Sequence, residues 1–318
     1  MFASLNGTRF FFDVDGAGLV WRDGTQGEQR PTVVMLPGGP GASHMHYKSP
    51  QQRFDVFSRV FQVVYVDWRG AGHSEPAPAD TLTIAQAVDD VEALREMLGI
   101  EKWAVLGASG GGTWALAYTA KYPDRVSHLI AMHCPASADG WGDLAERIAR
   151  RAGVSDEKAL ALYRQFVGGD LTAPVEEWAW SVRNTIVQTQ QATYIDAEKH
   201  PDVVAAHQER WDSLLDAELL ASMDVSRWYL RDFARSYPTA DDYARIRCPS
   251  LVITGETDPV APPADAQAIA TSVPGADVYI HPGGHMPHED EQVPFLARIA
   301  EFFTRHGIEA GAMTALPV

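Results

Sequence analysis

Short, mostly apolar runs recur along the chain, and a loop that contains glycine follows each of the first two. These are Thr32–Leu36 and Gln62–Val66, and both are rich in β-branched residues. Such runs are typical of strands that are buried on both faces of a parallel sheet. Before them, the pair Asn6-Gly7 between apolar stretches predicts a tight hairpin, because both turn positions need a positive φ. The pattern therefore predicts antiparallel strands at the start and a parallel sheet after them.

Stretches with helical spacing alternate with these strands. From Ile84 to Leu98 apolar residues recur every three or four positions, and Gly99 closes the stretch, which predicts a helix packed against the sheet. Further strands are predicted at Trp103–Leu106, Leu129–Met132, Ser250–Thr254 and Asp277–Ile280, and further helices at Thr113–Tyr122, Asp265–Ser272 and Val293–His306. This order predicts an α/β fold with a mostly parallel central sheet flanked by helices.

The alternation stops between about residues 136 and 240. This segment has helical patterns, many charges and five of the nine tryptophans: Trp141, Trp178, Trp180, Trp211 and Trp228. We interpret residues 136–240 as an inserted helical cap, and residues 1–135 and 241–318 as the two parts of the core. Tryptophans on such a segment most often pack helices together. Trp178 and Trp180 lie two positions apart and cannot share a helix face, so at least one is a candidate for substrate contact.

Composition and charge narrow the function classes. The 318 residues are 46% hydrophobic and 21% charged, as in a globular protein with a large core, and the net charge of −16 disfavours nucleic acid and anionic lipid as partners. Cys134 and Cys248 lack zinc-site spacing and are expected to be buried thiols. The sequence shows neither a signal-peptide pattern nor a long apolar run, so we expect a soluble, cytoplasmic protein. It leaves the oligomeric state open.

The strongest chemical signal is a G-x-S-x-G pattern at residues 107–111, between a predicted strand and a predicted helix. Small neighbours permit a sharp turn that exposes the Ser109 hydroxyl at the start of the helix. A serine hydroxyl becomes a good nucleophile only when a base takes its proton, so the pattern predicts a later histidine and carboxylate. Asp258 and His285 follow in that order, each in a loop after a predicted strand. The sequence thus predicts a Ser109-His285-Asp258 triad.

Two neighbouring residues compete for these roles. Glu256 is an alternative acid, but it lies closer to the strand end, and we favour Asp258. His288 is an alternative base; we favour His285 and expect His288 to face the cap or the surface, as a candidate substrate contact. The run of histidines and carboxylates over residues 285–290 could also suggest a metal site, but it lacks the H-E-x-x-H pattern. We therefore expect neither a metal nor a cofactor.

The glycine-rich loop Leu36–Gly41 lets the backbone approach a substrate closely. A tetrahedral intermediate needs two N–H donors for its oxyanion, and we assign these to the backbone of Gly39 and Gly110. A phosphate cradle is the alternative, but the loop lacks the Lys-Ser/Thr ending of a P-loop and the G-x-G-x-x-G of a dinucleotide site. Oxyanion binding is therefore the favoured interpretation.

With these motifs the chain resembles the α/β-hydrolase superfamily and, within it, the proline iminopeptidase group of serine peptidases. The group's H-G-G-P-G loop is similar to residues 37–41, which are Pro-Gly-Gly-Pro-Gly, and its D-x-R-G-x-G-x-S segment is similar to residues 67–74. Together with the nucleophile turn and the two triad loops, the resemblance spans the catalytic domain. It implies an α/β-hydrolase fold with a helical cap, and hydrolysis through an acyl-enzyme.

Three departures from the group bear on the substrate. Pro37 replaces the histidine of the glycine loop, and Gly110 replaces the tryptophan that usually follows the nucleophile, which widens the pocket floor. The resemblance also implies a cap glutamate, in a W-S-x-W-E stretch, that holds the substrate's amino terminus. The matching position here is Asn184, beside Arg183. An ammonium group is disfavoured there, and Asn184 becomes a candidate substrate contact of another kind.

These departures favour an ester or lactone of a small, fairly apolar molecule as the substrate. The alternative is an aminopeptidase or amidase of the iminopeptidase type, acting on a short peptide. A carbon–carbon bond hydrolase keeps the same triad and is a further alternative. A receptor that binds a ligand without turnover is another, since fold does not dictate function, but the complete triad disfavours it.

Overall fold

The computed structural model describes residues 1–22, 26–39, 41–48, 54–138, 144, 147, 157–181, 205, 216–285 and 292–314. The strands are β1 Phe2–Leu5, β2 Thr8–Asp15, β3 Leu19–Arg22, β4 Gln26–Gln29, β5 Thr32–Leu36, β6 Gln62–Val66, β7 Trp103–Ala108, β8 Val126–Met132, β9 Ser250–Gly255 and β10 Asp277–His281. Eight of them form one sheet in the order β1-β2-β6-β5-β7-β8-β9-β10, and β3 and β4 form a separate hairpin.

The sheet has the predicted directions. β1 and β2 are antiparallel to their neighbours, and β6, β5, β7, β8, β9 and β10 run parallel to one another. The first turn has positive φ at both Asn6 (45°) and Gly7 (76°), as the hairpin prediction requires. The sequence did not predict the β3–β4 hairpin.

The helices are α1 Met45–Lys48, α2 Ile84–Met97, α3 Gly110–Lys121, α4 Glu157–Val167, α5 at residues 175–181, α6 Asp216–Ser236, α7 Ala240–Tyr243, α8 Pro263–Ser272 and α9 Gln292–Arg305. Short 3₁₀ helices lie at Phe54–Arg59, Ala79–Thr81 and Gly311–Met313. Within the described part of the chain, no helix is both long and apolar enough to cross a membrane.

The helix α3 begins three residues earlier than the predicted Thr113, because tertiary packing overrides the low helix propensity of glycine. A Cβ atom on Gly111 would collide with the carbonyl oxygen of Leu36, and one on Gly107 would collide with the carbonyl of Gly111. The glycines therefore let the first turn of α3 lie directly against β5 and β7.

Apolar side chains fill both faces of the sheet. Along β5, Val34 and Leu36 point into one cluster and Val33 and Met35 into another, as the two-residue period of a strand dictates. The first cluster contains residues of α2 and α3, and the second contains residues of α9 and the 3₁₀ helix at 54–59. Each fully buried large apolar side chain contributes roughly 1.5–3 kcal/mol. The prediction of strands buried on both faces is confirmed.

Between β8 and β9, the described residues in regular elements are helical. The long helix α6 packs on α3: the ring centroids of Trp114 and Tyr229 lie 5.2 Å apart, and those of Trp114 and Phe233 5.0 Å apart. Just beyond α6, the Tyr237 hydroxyl hydrogen bonds to Thr113 Oγ1 (2.8 Å) and donates to a carbonyl of the segment after β8 (2.6 Å). These contacts attach α6 to the core, whereas the limits of the cap at 136 and 240 remain a prediction.

Candidate active site

Ser109 occupies a sharp turn between β7 and α3. Its backbone has φ 56° and ψ −127°, a conformation that residues with a side chain rarely adopt. The Ser109 N–H donates to the Met132 carbonyl (2.8 Å), and the Ser109 carbonyl accepts from the Gly112 N–H (2.9 Å). This is the strained strand–turn–helix geometry that exposes a nucleophile above an α/β sheet.

Four neighbouring strands each carry one polar residue beyond their carboxyl ends. Ser109 directly follows β7 and His133 directly follows β8, while Asp258 lies three residues after β9 and His285 four residues after β10. Because these strands are adjacent and parallel, the four residues lie at one edge of the sheet. The predicted positions of Ser109, Asp258 and His285 share this edge, and the structure adds His133.

Asp258 is a buried carboxylate with many hydrogen bonds. Its Oδ1 accepts from the backbone N–H groups of Val260 (2.7 Å) and Ala261 (3.1 Å), and its Oδ2 lies 2.9 Å from His285 Nδ1. Burial alone would raise the pKa of Asp258, but the nearby His285 and the hydrogen bonds from His133 and His285 hold this pKa well below its usual value. Asp258 is therefore an anion at neutral pH.

The alternative acid, Glu256, differs in its surroundings. Glu256 is exposed, and its backbone N–H donates to the His281 carbonyl (2.8 Å) at the end of β10. Asp258 contacts His285, and it is buried to 3% exposure. The geometry favours Asp258 as the partner of His285.

His285 is buried, at 4% exposure, and its Nδ1 lies 2.9 and 3.1 Å from the two oxygens of Asp258. An ionised carboxylate only accepts hydrogen bonds, so the Nδ1 of His285 carries a proton. The opposite ring nitrogen, Nε2, then has a lone pair when the ring is neutral. This is the tautomer that a general base next to a serine needs.

His133 was missed by the sequence analysis. Its Nδ1 lies 3.0 Å from Asp258 Oδ2, its ring is 5.5 Å from that of His285 between centroids, and its backbone has φ 53°. Burial lowers the pKa of His133 despite the neighbouring Asp258, so the ring is neutral at pH 7. A histidine at the carboxyl end of β8, the strand beside β7, was the available signal.

The glycine loop lies beside Ser109, since a Cβ atom on Gly38 would be 3.3 Å from the Ser109 Cβ, and polar contacts hold its first two residues. Gly39 has φ 106°. The Trp68 indole donates to the Pro37 carbonyl (2.9 Å), and the Tyr47 hydroxyl donates to the Leu36 carbonyl (2.7 Å). Gly110 is the first residue of α3, where a helix provides no acceptor for the backbone N–H. Hydrogen bonds thus hold the carbonyls of Leu36 and Pro37, and the oxyanion roles of Gly39 and Gly110 remain a prediction.

A second buried carboxylate, Asp67, holds the segment that follows this loop. Its Oδ1 accepts from the backbone N–H (2.6 Å) and Nδ1 (2.7 Å) of His44, and its Oδ2 accepts from the backbone N–H (2.7 Å) and Nδ1 (3.1 Å) of His73. Burial opposes ionisation, but these hydrogen bonds lower the pKa of Asp67. The D-x-R-G-x-G-x-S segment therefore has a structural role here, which the sequence did not reveal.

Among the described residues, two groups of side chains have ligand atoms within 4.8 Å of one another, a spacing that a metal ion could use: His44, Asp67 and His73, and His133, Asp258 and His285. In both groups each imidazole Nδ1 already donates to the carboxylate. A metal ion would have to displace these protons. Hydrogen bonding accounts for both groups, and we assign no metal ligand among them.

The predicted substrate contacts have different surroundings. Trp178 is fully buried in the larger apolar cluster, and its indole donates to the Ala173 carbonyl (3.0 Å), which is a packing environment. Trp180 is 38% exposed, and Lys158 Nζ lies 5.0 Å from its ring centroid. The two rings differ in exposure, as their spacing predicts. Asn184 and His288 lie outside the described residues.

Comparison with known proteins identifies the family. The family model for the alpha/beta hydrolase fold matches residues 31–292. The proline iminopeptidase of Neisseria meningitidis serogroup B is 29% identical over 294 residues, which are 86% of this chain and 89% of that protein.

Solved structures agree in fold. The enol-lactonase from Burkholderia xenovorans LB400 has a TM-score of 0.67 and 23% identity, covering 96% of this chain and all of its own. The proline iminopeptidase of Mycobacterium smegmatis has a TM-score of 0.65 and 21% identity, covering 96% and 98%. At such identities these structures show the fold alone, and with the family match they confirm the predicted fold class. The chain therefore belongs to the alpha/beta hydrolase fold family, as a hydrolase that resembles the proline iminopeptidases.

Proposed function

We propose that the protein hydrolyses a carboxylic ester or lactone of a small, fairly apolar molecule through a triad of Ser109, His285 and Asp258. The observation that carries this proposal is the 2.9 Å hydrogen bond between His285 Nδ1 and Asp258 Oδ2, joining the loops after β9 and β10. The strained backbone of Ser109, at the same sheet edge, supports it.

In this mechanism Ser109 Oγ attacks the carbonyl carbon while His285 Nε2 takes the hydroxyl proton. The carbonyl oxygen becomes an oxyanion and accepts hydrogen bonds from the N–H groups of Gly39 and Gly110. His285 then gives its proton to the leaving alcohol oxygen, which departs and leaves an acyl group on Ser109. Asp258 stays ionised throughout, and it stabilises the imidazolium that forms in each step.

Water completes the reaction. His285 removes a proton from a water molecule, which attacks the acyl carbon and forms a second tetrahedral intermediate. Collapse of this intermediate returns the proton to Ser109 Oγ and releases the carboxylic acid. In a lactone the alcohol and the acid belong to one molecule, so the same steps open its ring.

The proposed substrate class rests on the sequence. Gly110 after Ser109 and Asn184 beside Arg183 disfavour recognition of a substrate ammonium group. The second candidate is an aminopeptidase that releases N-terminal proline from a short peptide, which the 29% identical iminopeptidases favour. The cytoplasmic location predicted from the sequence remains part of the proposal, and the free thiols Cys134 and Cys248 favour it.

Labelling with a fluorophosphonate tests the nucleophile. We expect the probe to modify Ser109 in the wild type, located by peptide mass, and to leave Ser109→Ala unmodified although that variant folds. Ser236→Ala, which removes an exposed serine of α6, is the matched control and should be labelled like the wild type. Modification of a different serine, or none in well-folded protein, would overturn the proposal.

A substrate panel then separates the two candidates. We expect kcat/KM to be higher for p-nitrophenyl butyrate and for an enol lactone than for proline p-nitroanilide. If only the proline amide is turned over, the aminopeptidase becomes the favoured function, and the proposed triad still stands.

A further inference from the structure

Asp258 has a second histidine that the triad mechanism does not use. Its Oδ2 lies 2.9 Å from His285 Nδ1 and 3.0 Å from His133 Nδ1, so two imidazoles share one carboxylate oxygen. Both rings are buried, at 4% and 2% exposure. Side chains that share one oxygen divide its hydrogen-bonding capacity between them.

The geometry defines the proton positions on His133. Its Nδ1 faces an ionised carboxylate and must donate, whereas its Nε2 is buried and has no hydrogen-bond partner among the described residues. A proton on that Nε2 would be a buried donor without an acceptor, which is costly. His133 is therefore a neutral ring that donates only to Asp258.

The backbone holds this ring in position. His133 directly follows β8, its N–H donates to the Ile253 carbonyl in β9 (2.7 Å), and its φ of 53° is unusual for a residue with a side chain. A conformation of this kind costs of order 1–3 kcal/mol and persists where the surroundings impose it. The strained residue and the strained Ser109 follow adjacent strands.

We propose that His133 is a positioning residue of the active site: it fixes the carboxylate of Asp258 and takes up part of its charge, so that less of that charge acts on His285. This inference rests on the proposed triad and goes beyond it, because it assigns a fourth residue. Removal of the His133 donor should therefore change the pH dependence of the reaction at Ser109.

Other titratable groups lie near His133 and Asp258, and a test of His133 must leave these groups unchanged. His281 at the end of β10 has its ring centroid 5.3 Å from that of His133. Asp265 of α8 interacts electrostatically with Asp258, and Arg147 interacts with Asp265 while its guanidinium donates to the Pro259 carbonyl (2.7 Å). Cys134, the next residue along the chain, is buried, and burial raises the pKa of its thiol.

Three substitutions of His133 separate the effect of its N–H donor from the effects of its ring volume and its backbone conformation. In His133→Asn the amide nitrogen can occupy the position of Nδ1, and asparagine tolerates a positive φ. His133→Leu fills much of the space without a donor, although a positive φ disfavours leucine. His133→Gly has no side-chain donor and adopts the positive φ without strain. It therefore serves as the donor-free variant if His133→Leu does not fold.

The measurement is the rate constant of fluorophosphonate labelling at Ser109 between pH 5 and pH 9, with the melting temperature recorded in parallel. We expect the acidic limb of the profile to move to higher pH by roughly half a unit to one unit in His133→Leu and His133→Gly, because Asp258 then directs more charge to His285. In His133→Asn the limb should return to its wild-type position.

The outcomes distinguish this inference from the proposed function. Folded donor-free variants with the wild-type profile would overturn the role of His133 while leaving the triad intact. A shift of the same size in His133→Asn would also overturn it, because the donor would then be irrelevant. If wild-type Ser109 is not labelled at any pH, the proposed function itself fails.

Discussion

Two buried carboxylates in this protein have almost the same kinds of partner, and we propose different roles for them. Asp67 and Asp258 both have fully buried side chains, and each accepts hydrogen bonds from the Nδ1 atoms of two histidines. At Asp67 the same histidines also donate their backbone N–H groups, at 2.6 and 2.7 Å. At Asp258 the backbone donors belong to its own loop, and the histidines contribute only their rings.

We assign Asp67 a structural role and Asp258 a role in the proposed triad, and this difference separates the two. A histidine that is bonded through both ring and backbone holds its loop to the carboxylate, so Asp67 joins the loop at His44 to the loop at His73. A histidine that is bonded through the ring alone can change protonation without releasing backbone contacts, which a general base requires. Residue types alone would not distinguish the two clusters, whereas the source of the N–H donors does.

The largest expected effect is a loss of catalytic rate when Asp258 is substituted. Asp258→Asn replaces an acceptor with a group that can donate, which favours the wrong tautomer of His285, so turnover of p-nitrophenyl butyrate should fall by about 10⁴-fold. Glu256→Gln, at the exposed carboxylate two residues earlier, is the control and should keep wild-type rates. If Glu256→Gln is the damaging change instead, our assignment of the acid is wrong.

At Asp67 we expect a loss of stability. Asp67→Asn leaves buried N–H donors facing an amide, so the free energy of unfolding measured with urea should fall by about 3 kcal/mol, with rates of the folded protein within about tenfold of the wild type. His73→Ala removes a largely exposed ring but keeps the backbone donor, and should cost less than about 1 kcal/mol. A stable Asp67→Asn protein that has lost most of its activity would remove the distinction between the two carboxylates.

The third prediction concerns the pH dependence of stability. Burial lowers the pKa of His281 to about 3, whereas in the unfolded chain it is about 6.5. Below pH 6.5 the unfolded chain therefore takes up a proton at His281 that the folded protein does not bind until about pH 3. The contribution of neutral His281 to the free energy of unfolding is complete above pH 6.5 and is lost as the pH falls toward 3.

His281→Asn tests this expectation. The amide oxygen can accept from the Gly283 N–H, which donates to His281 Nδ1 at 3.0 Å, but the residue no longer titrates. Between about pH 6 and pH 4 the slope of unfolding free energy against pH should decrease by about 1.4 kcal/mol per pH unit, measured by urea unfolding. An unchanged slope would show that His281 does not contribute to acid sensitivity.

Much of the fold could be predicted because its strands are short apolar runs with clear ends. The error at the start of α3 has a physical cause: the glycines there are unfavourable for a helix by propensity, and only the contact with Leu36 and the turn at Ser109 explains why they are helical. The β3–β4 hairpin was missed because Gln26–Gln29 lacks the apolar alternation of a half-buried strand.

The candidate site was only partly predictable for a different reason. Ser109, Asp258 and His285 lie in motifs whose order carries information. The chain has eleven histidines, and which of them converge on one carboxylate depends on strand order, which a single sequence does not reveal. His133 and His281 lie near Asp258 because β8, β9 and β10 are neighbours in the sheet.

The packing of α6 on the core provides an optical reporter. Trp68 and Trp114 lie with ring centroids 4.2 Å apart and planes inclined by 33°, and the Tyr229 and Phe233 rings of α6 lie against Trp114. Two indoles at this distance share their electronic excitations and should give a strong signal in near-ultraviolet circular dichroism, which depends on fixed aromatic packing. Displacement of α6 would change that signal, so the docking of α6 can be followed in the unlabelled protein without a substrate.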